Sequence, residues 1–207
     1  MAPQFPKQIP QGQKWALPNV APQFQTNATG PNRALRYNFV MSRLRRPFIA
    51  GRIFFVSNNC LRRRINLADP DFEMLAAVIV RVRARRQFLV TGYVFMPDHW
   101  HALIYLGEND TLPHLMNALK VASVQGINRL RGTTGSLWQS RYYDHAIRNV
   151  REYQERLNYM HLNPVRGGLA RQPEDWPWSS IHSYGGPGPV RLEIDLLQLP
   201  AHENTSL

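Results

Sequence analysis

The sequence has a single cysteine, no long apolar run and, in its first third, no acidic residue. Cys60 is the only cysteine among 207 residues, which excludes a disulfide framework or a cysteine zinc knuckle within one chain. No apolar run approaches the roughly 18 residues that a membrane-spanning helix needs, and the N-terminus lacks the apolar core of a secretory signal. We therefore expect a protein of the reducing cytoplasm with no membrane partner.

Acidic residues are absent from residues 1–68, whereas basic residues occur throughout. That segment holds eleven Lys and Arg residues, and the rest of the chain holds fourteen residues of each sign, so the whole net charge of +11 arises there. Most of these cations are arginines, whose planar guanidinium suits bidentate contact with phosphate. The charge predicts a polyanionic partner. Two clusters are the candidate nucleic-acid contacts: Arg43, Arg45 and Arg46, and Arg62, Arg63 and Arg64.

The composition divides the chain into three parts. Residues 1–45 are rich in Pro, Gln and Asn without hydrophobic periodicity, which predicts a disordered basic leader. Two roles stay open for the leader, contact with nucleic acid and simple solvation. Residues 46–185 are the predicted catalytic domain, and residues 186–207 are a predicted C-terminal tail.

The hydrophobic pattern of the central part predicts four strands and three helices. Runs of β-branched and aromatic residues between turn signals predict strands at 52–58, 88–96, 99–106 and 141–148. Apolar residues at spacings of three and four predict helices at 69–86, about 111–131 and 150–162. This order predicts an α+β, ferredoxin-like (split β-α-β) fold, a four-stranded antiparallel sheet with two helices on one face and the other face free for a ligand.

The last predicted helix ends at Leu162 because Asn163, the residue before Pro164, disfavours the α region. Residues 173–190, rich in Trp, Ser, Gly and Pro, are predicted to be a loop. Five aromatic side chains are candidates for stacking on bases, with core or loop anchoring as the alternative: Trp138, Tyr142, Tyr143, Trp176 and Trp178.

The predicted strand at 99–106 begins with His-Trp-His. Side chains two apart on a strand point to the same side, so His99 and His101 face one spot while Trp100 faces away. Two imidazoles at one spot can form half of a metal site. The alternative is a pair of ordinary half-buried sheet histidines.

The last predicted helix carries two tyrosines on different faces. Tyr153 shares a face with the apolar positions and is predicted to be core. Tyr159 shares a polar face with Glu152, Arg156 and Asn163, which is unusual for a packing tyrosine. The alternative is a surface tyrosine that contributes a hydrogen bond and some apolar cover.

Three motifs resemble, in order and spacing, those of the single-tyrosine HUH transposases, most of all the REP-associated tyrosine transposases: MPDHWHALIYL, LWQSRYYDHAIRN and YMHLNPVRGGL. The resemblance covers about residues 50–182 and implies a ferredoxin-like fold with a C-terminal catalytic helix. Carried over by position, it makes His99 and His101 metal ligands and Tyr159 the nucleophile. Asn163 becomes a further metal ligand, although the following proline is expected to displace it from the helix.

The resemblance also implies an activity. Single-stranded or hairpin DNA is cleaved and transferred through a 5′-phosphotyrosine, so strands are rejoined without ATP. It implies Mg²⁺ or Mn²⁺, whereas imidazole ligands by themselves favour Zn, Ni or Cu, and it implies action on nucleoid DNA as a monomer or homodimer. His145, in the second motif, is given no role. Two alternatives stay open, a non-catalytic nucleic-acid-binding module of the same fold and a His-metal nuclease in which Tyr159 is incidental.

Overall fold

The computed structural model describes residues 52–61, 66–107 and 110–196. The strands are β1 (Arg52–Asn59), β2 (Leu89–Met96), β3 (His99–Leu106) and β4 (Tyr143–Ala146). The helices are α1 (Asp69–Arg86), α2 (Leu112–Arg131), α3 (Val150–His161) and the short α4 (Asn163–Arg166). The strands form one antiparallel sheet in the order β2-β3-β1-β4. The predicted ferredoxin-like fold is confirmed, with most element bounds within two residues of the prediction and a shorter β4.

Several predicted features lie outside the described residues. These are the leader at 1–45, both arginine clusters at 43–46 and 62–64, and the end of the tail at 197–207. The domain bounds and the contacts of those arginines therefore stay predictions. Among the helices that the structure describes, none combines the length and apolar character needed to cross a membrane.

The first sheet face is covered by α1 and α2. β1 and β3 direct Phe54, Val56, Trp100 and Ile104 into this core, where α1 and α2 supply most of the opposing apolar side chains. The start of α1 is joined to the end of α2 because Asp71, which accepts a hydrogen bond from the Ala68 amide, also pairs with Arg131. This face therefore forms the larger of the two apolar cores.

The tryptophans that the structure describes belong to the core and its edge. Trp138 and Trp178 are buried, and their indole N–H groups donate to Ser123 Oγ and Asp69 Oδ1. Base stacking by these two is therefore wrong, and the anchoring alternative is confirmed. Trp176 is half-buried and donates to the Phe95 carbonyl oxygen at 2.8 Å. Its indole is committed to holding the chain against β2.

The sequence predicted that the second sheet face is free for a ligand. This prediction is wrong, because α3 packs on part of that face. The apolar cluster beneath α3 is Ile53, Phe55, Val94, Met96, Leu103, Ile147, Tyr153 and Met160. Gly92, beside a bulge in β2, lets the helix approach, since a Cβ there would lie 2.8 Å from Leu157 Cδ1 and 3.0 Å from Met160 Cε. α3 therefore lies directly on the backbone of β2.

The predicted loop at 173–190 contains two 3-10 helices, Pro173–Asp175 and Ser180–Tyr184. Its side chains form hydrogen bonds with both α3 and β2. Ser180 Oγ lies 2.9 Å from His161 Nε2 and accepts a hydrogen bond from the Tyr93 amide at 3.0 Å. The loop prediction is thus corrected, because side-chain hydrogen bonds that periodicity does not reveal order this segment.

The Asn163-Pro164 pair ends α3 as predicted, but it also starts a further helical turn that was not predicted. α3 ends at His161, and α4 then begins at Asn163 with Pro164 in its first turn. A proline in the first turn of a helix loses no hydrogen bond because its missing N–H has no helical partner there. The Arg166 amide donates to the Leu162 carbonyl oxygen at 3.0 Å. Pro164 therefore starts a new helical turn, and Asn163 leaves α3.

Candidate active site

The histidine pair lies on the sheet face that α3 covers. In the β3 register, His101 is opposite Ser57 of β1 and Val94 of β2. The ring centroids of His99 and His101 are 4.7 Å apart, whereas Trp100 between them is 1% exposed in the core of the first face. The strand alternation thus places both imidazoles at one spot, as expected.

His101 is held in its neutral form. It is 4% exposed. Burial, with a smaller contribution from repulsion by His99, lowers the pKa of His101 to about 3. Its Nε2 lies 2.9 Å from Nδ2 of Asn163. At pH 7 the ring therefore keeps a lone pair that either accepts a hydrogen bond or binds a metal ion.

His99 is oriented by its neighbour in the chain. Its Nδ1 lies 2.6 Å from Asp98 Oδ1, and this hydrogen bond is the main reason that the pKa of Asp98 is lowered. The second ring nitrogen remains available for a ligand. Sequence reasoning drew nothing from Asp98, although its place in the turn beside His99 was the available signal.

Tyr159 is the accessible tyrosine of α3. Its side chain is 38% exposed, and its ring centroid lies 5.6 Å from that of His101. Within the described residues its hydroxyl has no hydrogen-bond partner. Tyr153, by contrast, is 2% exposed and donates to the Thr91 carbonyl oxygen at 3.2 Å. The predicted core role of Tyr153 is confirmed.

Phe55 links the histidine pair to the tyrosine, and sequence reasoning missed it. Its ring stacks on His101 at 5.2 Å between centroids and meets Tyr159 edge-on at 6.0 Å. Arg156 and Arg166 lie over the Phe55 and Tyr159 rings. Phe55 gave no signal because the register between β1 and β3 cannot be read from either strand alone.

The start of α3 is fixed by a charged cluster. Glu152, predicted on the polar face, is only 9% exposed because His145 of β4 and Arg148 cover it. Although burial alone raises the pKa of Glu152, hydrogen bonds from Arg148 and His145 outweigh it and lower the pKa to about 2. Asn149 caps the helix by accepting from the Glu152 amide. This cluster orients the helix that carries Tyr159.

The site offers few protein ligands for a metal ion. Among the described residues, no group of three His, Cys, Asp or Glu side chains is placed to bind one. Two imidazoles and the amide of Asn163 do lie together. Such a set fits a divalent cation that takes its remaining ligands from substrate and water, as Mg²⁺ commonly does.

Comparison with known proteins identifies the family. The family model described as "Transposase IS200 like" matches residues 53–162, more than half of the chain. The chain belongs to this transposase family. The REP-associated tyrosine transposase of Escherichia coli strain K12 is 32% identical over 143 residues, which are 69% of this chain and 84% of that protein.

A solved structure agrees with this assignment. It is described as a REP-associated tyrosine transposase bound to a REP hairpin, and it matches with a TM-score of 0.62 and 30% identity, covering 80% of this chain and 99% of that chain. The resemblance drawn from the three motifs is therefore confirmed.

Proposed function

We propose that this transposase cleaves single-stranded DNA beside a hairpin and rejoins it through a covalent 5′-phosphotyrosine on Tyr159. The convergence of three segments carries the proposal. Tyr159 of α3 and Asn163 of α4 both meet the histidine pair of β3, where His101 is buried and Tyr159 is 38% exposed. Hairpin DNA enters the proposal from the solved relative, which is described as bound to one.

In the proposed reaction Tyr159 Oη attacks a backbone phosphorus. The Oη–P bond forms as the bond from phosphorus to the 3′ oxygen breaks, and that oxygen takes up a proton to become a free 3′-OH. The tyrosine proton passes to solvent or to a base. Rejoining reverses the step, since a 3′-OH attacks the phosphotyrosine and Oη leaves. One phosphodiester is exchanged for another, so no ATP is needed.

We further propose that His99, His101 and Asn163 hold Mg²⁺ or Mn²⁺, with the Asn163 amide rotated so that its oxygen takes the place of Nδ2 beside His101. When bound, such an ion polarises a phosphate and stabilises the charge that develops on it. His101 is suited to this role because burial keeps its ring neutral. The hydrogen bond that His99 Nδ1 donates to Asp98 orients the ring, as carboxylates commonly orient histidine ligands.

The test uses a pool of hairpin oligonucleotides with randomised single-stranded flanks, so the recognised sequence need not be known. With Mn²⁺ present, we expect 3′-labelled DNA to become protein-bound on a denaturing gel and 5′-labelled DNA to give a shorter free strand. Tyr159→Phe should abolish the adduct. Sequencing the trapped DNA then gives the cleavage position.

Tyr153→Phe is the matched control, because Tyr153 lies on the same helix but is buried. It should form the adduct at the wild-type level. Cleavage that survives Tyr159→Phe without an adduct would instead indicate a His-metal nuclease. Binding without cleavage under any divalent ion would indicate a non-catalytic nucleic-acid-binding module.

A further inference from the structure

Two arginines lie over aromatic rings at the candidate site. The Arg166 guanidinium carbon is 5.3 Å from the centroid of the Tyr159 ring, and that of Arg156 is 5.4 Å from the centroid of the Phe55 ring. Phe55 meets Tyr159 edge-on. The side chain of the proposed nucleophile is therefore bordered by two cations, although neither of them belongs to the predicted arginine clusters.

Among the residues that the structure describes, these two guanidinium groups contact aromatic rings and no carboxylate. Within residues 52–61, 66–107 and 110–196, neither Arg156 nor Arg166 pairs with a carboxylate. Two other arginines near the start of α3 do form such pairs, Arg148 with Glu152 and Arg151 with Glu155. A cation–π contact is weak where it is exposed to water. The N–H donors of Arg156 and Arg166 thus remain available for an anion.

The local structure explains why both arginines meet at this spot. Arg156 precedes Tyr159 by three residues on α3, a spacing that puts side chains on one helix face. Asn163 and Arg166 have the same spacing on α4, and Asn163 reaches His101. α4 therefore brings the amide of Asn163 to the histidines and the guanidinium of Arg166 to the tyrosine ring.

We propose that Arg166 binds the phosphate that Tyr159 attacks and that Arg156 binds a neighbouring phosphate of the same strand. This inference rests on the proposed function, because the attacked phosphate must lie at the Tyr159 hydroxyl. Arginine presents a planar fork of N–H donors that matches two phosphate oxygens. Charge on those oxygens increases as Oη approaches phosphorus, so a cation placed there favours the reaction.

The two arginines should differ in what they affect. Arg166 lies over the ring of the nucleophile itself, so its main effect is expected on the rate of adduct formation at saturating DNA. Arg156 lies one ring farther away, over Phe55, so its main effect is expected on affinity. Both should contribute to the salt dependence of binding, since each phosphate contact on a single strand makes the slope of log K against log salt concentration more negative by about 0.7.

The experiment compares Arg166→Met, Arg166→Lys and Arg156→Met with Arg171→Met, an exposed arginine outside the site. Methionine keeps an unbranched apolar stem and removes the charge. Binding of a fluorescein-labelled single-stranded oligonucleotide is measured in EDTA over a range of salt concentrations, and adduct formation is measured with Mn²⁺ on the hairpin pool. Circular dichroism confirms that each variant is folded.

We expect Arg166→Met to slow adduct formation by on the order of 10²-fold, the scale found when one transition-state donor is removed. It should also make the negative salt slope shallower by about 0.7. Arg166→Lys should restore the wild-type slope because it keeps the charge. Wild-type slope and rate in Arg166→Met, or equal losses in Arg171→Met, would overturn the assignment. If the wild type forms no adduct, the proposed function fails, and the slope alone decides whether Arg166 binds phosphate.

Discussion

On the face covered by α1 and α2, β3 presents Trp100, Ala102 and Ile104 to an apolar core, whereas on the face covered by α3 it presents His99, His101 and Leu103. Adjacent residues of one strand therefore serve opposite sides of the sheet. Two long helices close the first face. One shorter helix covers the apolar half of the second face and buries His101, but it leaves His99 and Tyr159 partly exposed.

This difference indicates how stability and chemistry are separated in the fold. The first face buries its apolar side chains between the sheet and two helices, so substitutions there should change the free energy of unfolding. The polar end of the second face carries two histidines and the partly exposed Tyr159, so substitutions of His99 or Tyr159 should mainly change DNA cleavage and metal binding. The period-two alternation of β3 makes this separation possible.

The largest expected effect on stability comes from Trp100→Ala. Loss of this fully buried indole should lower the free energy of unfolding by about 3 to 5 kcal/mol, through lost burial and the cavity left behind. Urea unfolding followed by far-UV circular dichroism measures the change. Tyr159→Phe is the comparison on the second face and should change stability by less than about 0.5 kcal/mol. Comparable losses in both variants would contradict the separation.

A smaller effect is expected from Glu152→Gln, which weakens the cluster at the start of α3. Because the pKa of Glu152 is lowered from 4.5 to about 2 in the folded protein, its carboxylate stabilises the fold fully above about pH 4.5, and this contribution is lost as the pH falls through about 2. Allowing for solvent screening, we expect a loss of about 1 to 2 kcal/mol at pH 7.

Urea unfolding at pH 7 and at low pH tests this prediction. The difference between wild type and Glu152→Gln should shrink as the pH falls towards 2. Glu155→Gln is the control, because its exposed pair with Arg151 should contribute only about 0.3 kcal/mol. A difference that is independent of pH would show that the lost contacts of Glu152 are not those of its carboxylate.

The smallest expected effect is stabilisation by metal ion in the absence of DNA. At three times its Kd, Mn²⁺ should raise the free energy of unfolding by about 0.8 kcal/mol if it binds only the folded chain. A thermal shift titration measures this. His101→Ala should remove the effect, and His114→Ala, on the exposed side of α2, should retain it. A shift that survives His101→Ala would place the ion elsewhere.

Much of the fold was predictable because its signals are local. Asp69 and Asp71 fall in the first turn of α1, the turn at Pro97-Asp98 joins β2 to β3, and alternation gives His99 and His101 their shared side. Each of these follows from the spacing of residues within one element. The three motifs indicated the family. They also indicated that Asn163 belongs to the site with the histidine pair, despite the proline after it.

The parts that were wrong or missed depend on contacts between elements. Glu152 has the helical spacing of an exposed residue, but a histidine from β4 covers it. Phe55 lies beside His101 and Tyr159 only because of the register between β1 and β3. Arg166 stood within a motif without an assigned role, since the turn formed by α4 is what brings it over the tyrosine ring.

Gly92 determines how closely α3 approaches the sheet. Because a Cβ on residue 92 would lie 2.8 Å from Leu157 Cδ1 and 3.0 Å from Met160 Cε, the distance between Tyr159 and the histidines depends on the absence of a side chain on β2, the strand next to β3. Larger residues at this position would push α3 progressively farther from the sheet. They would lift the tyrosine without changing any group at the site, so the reach of the nucleophile is adjustable separately from its chemistry.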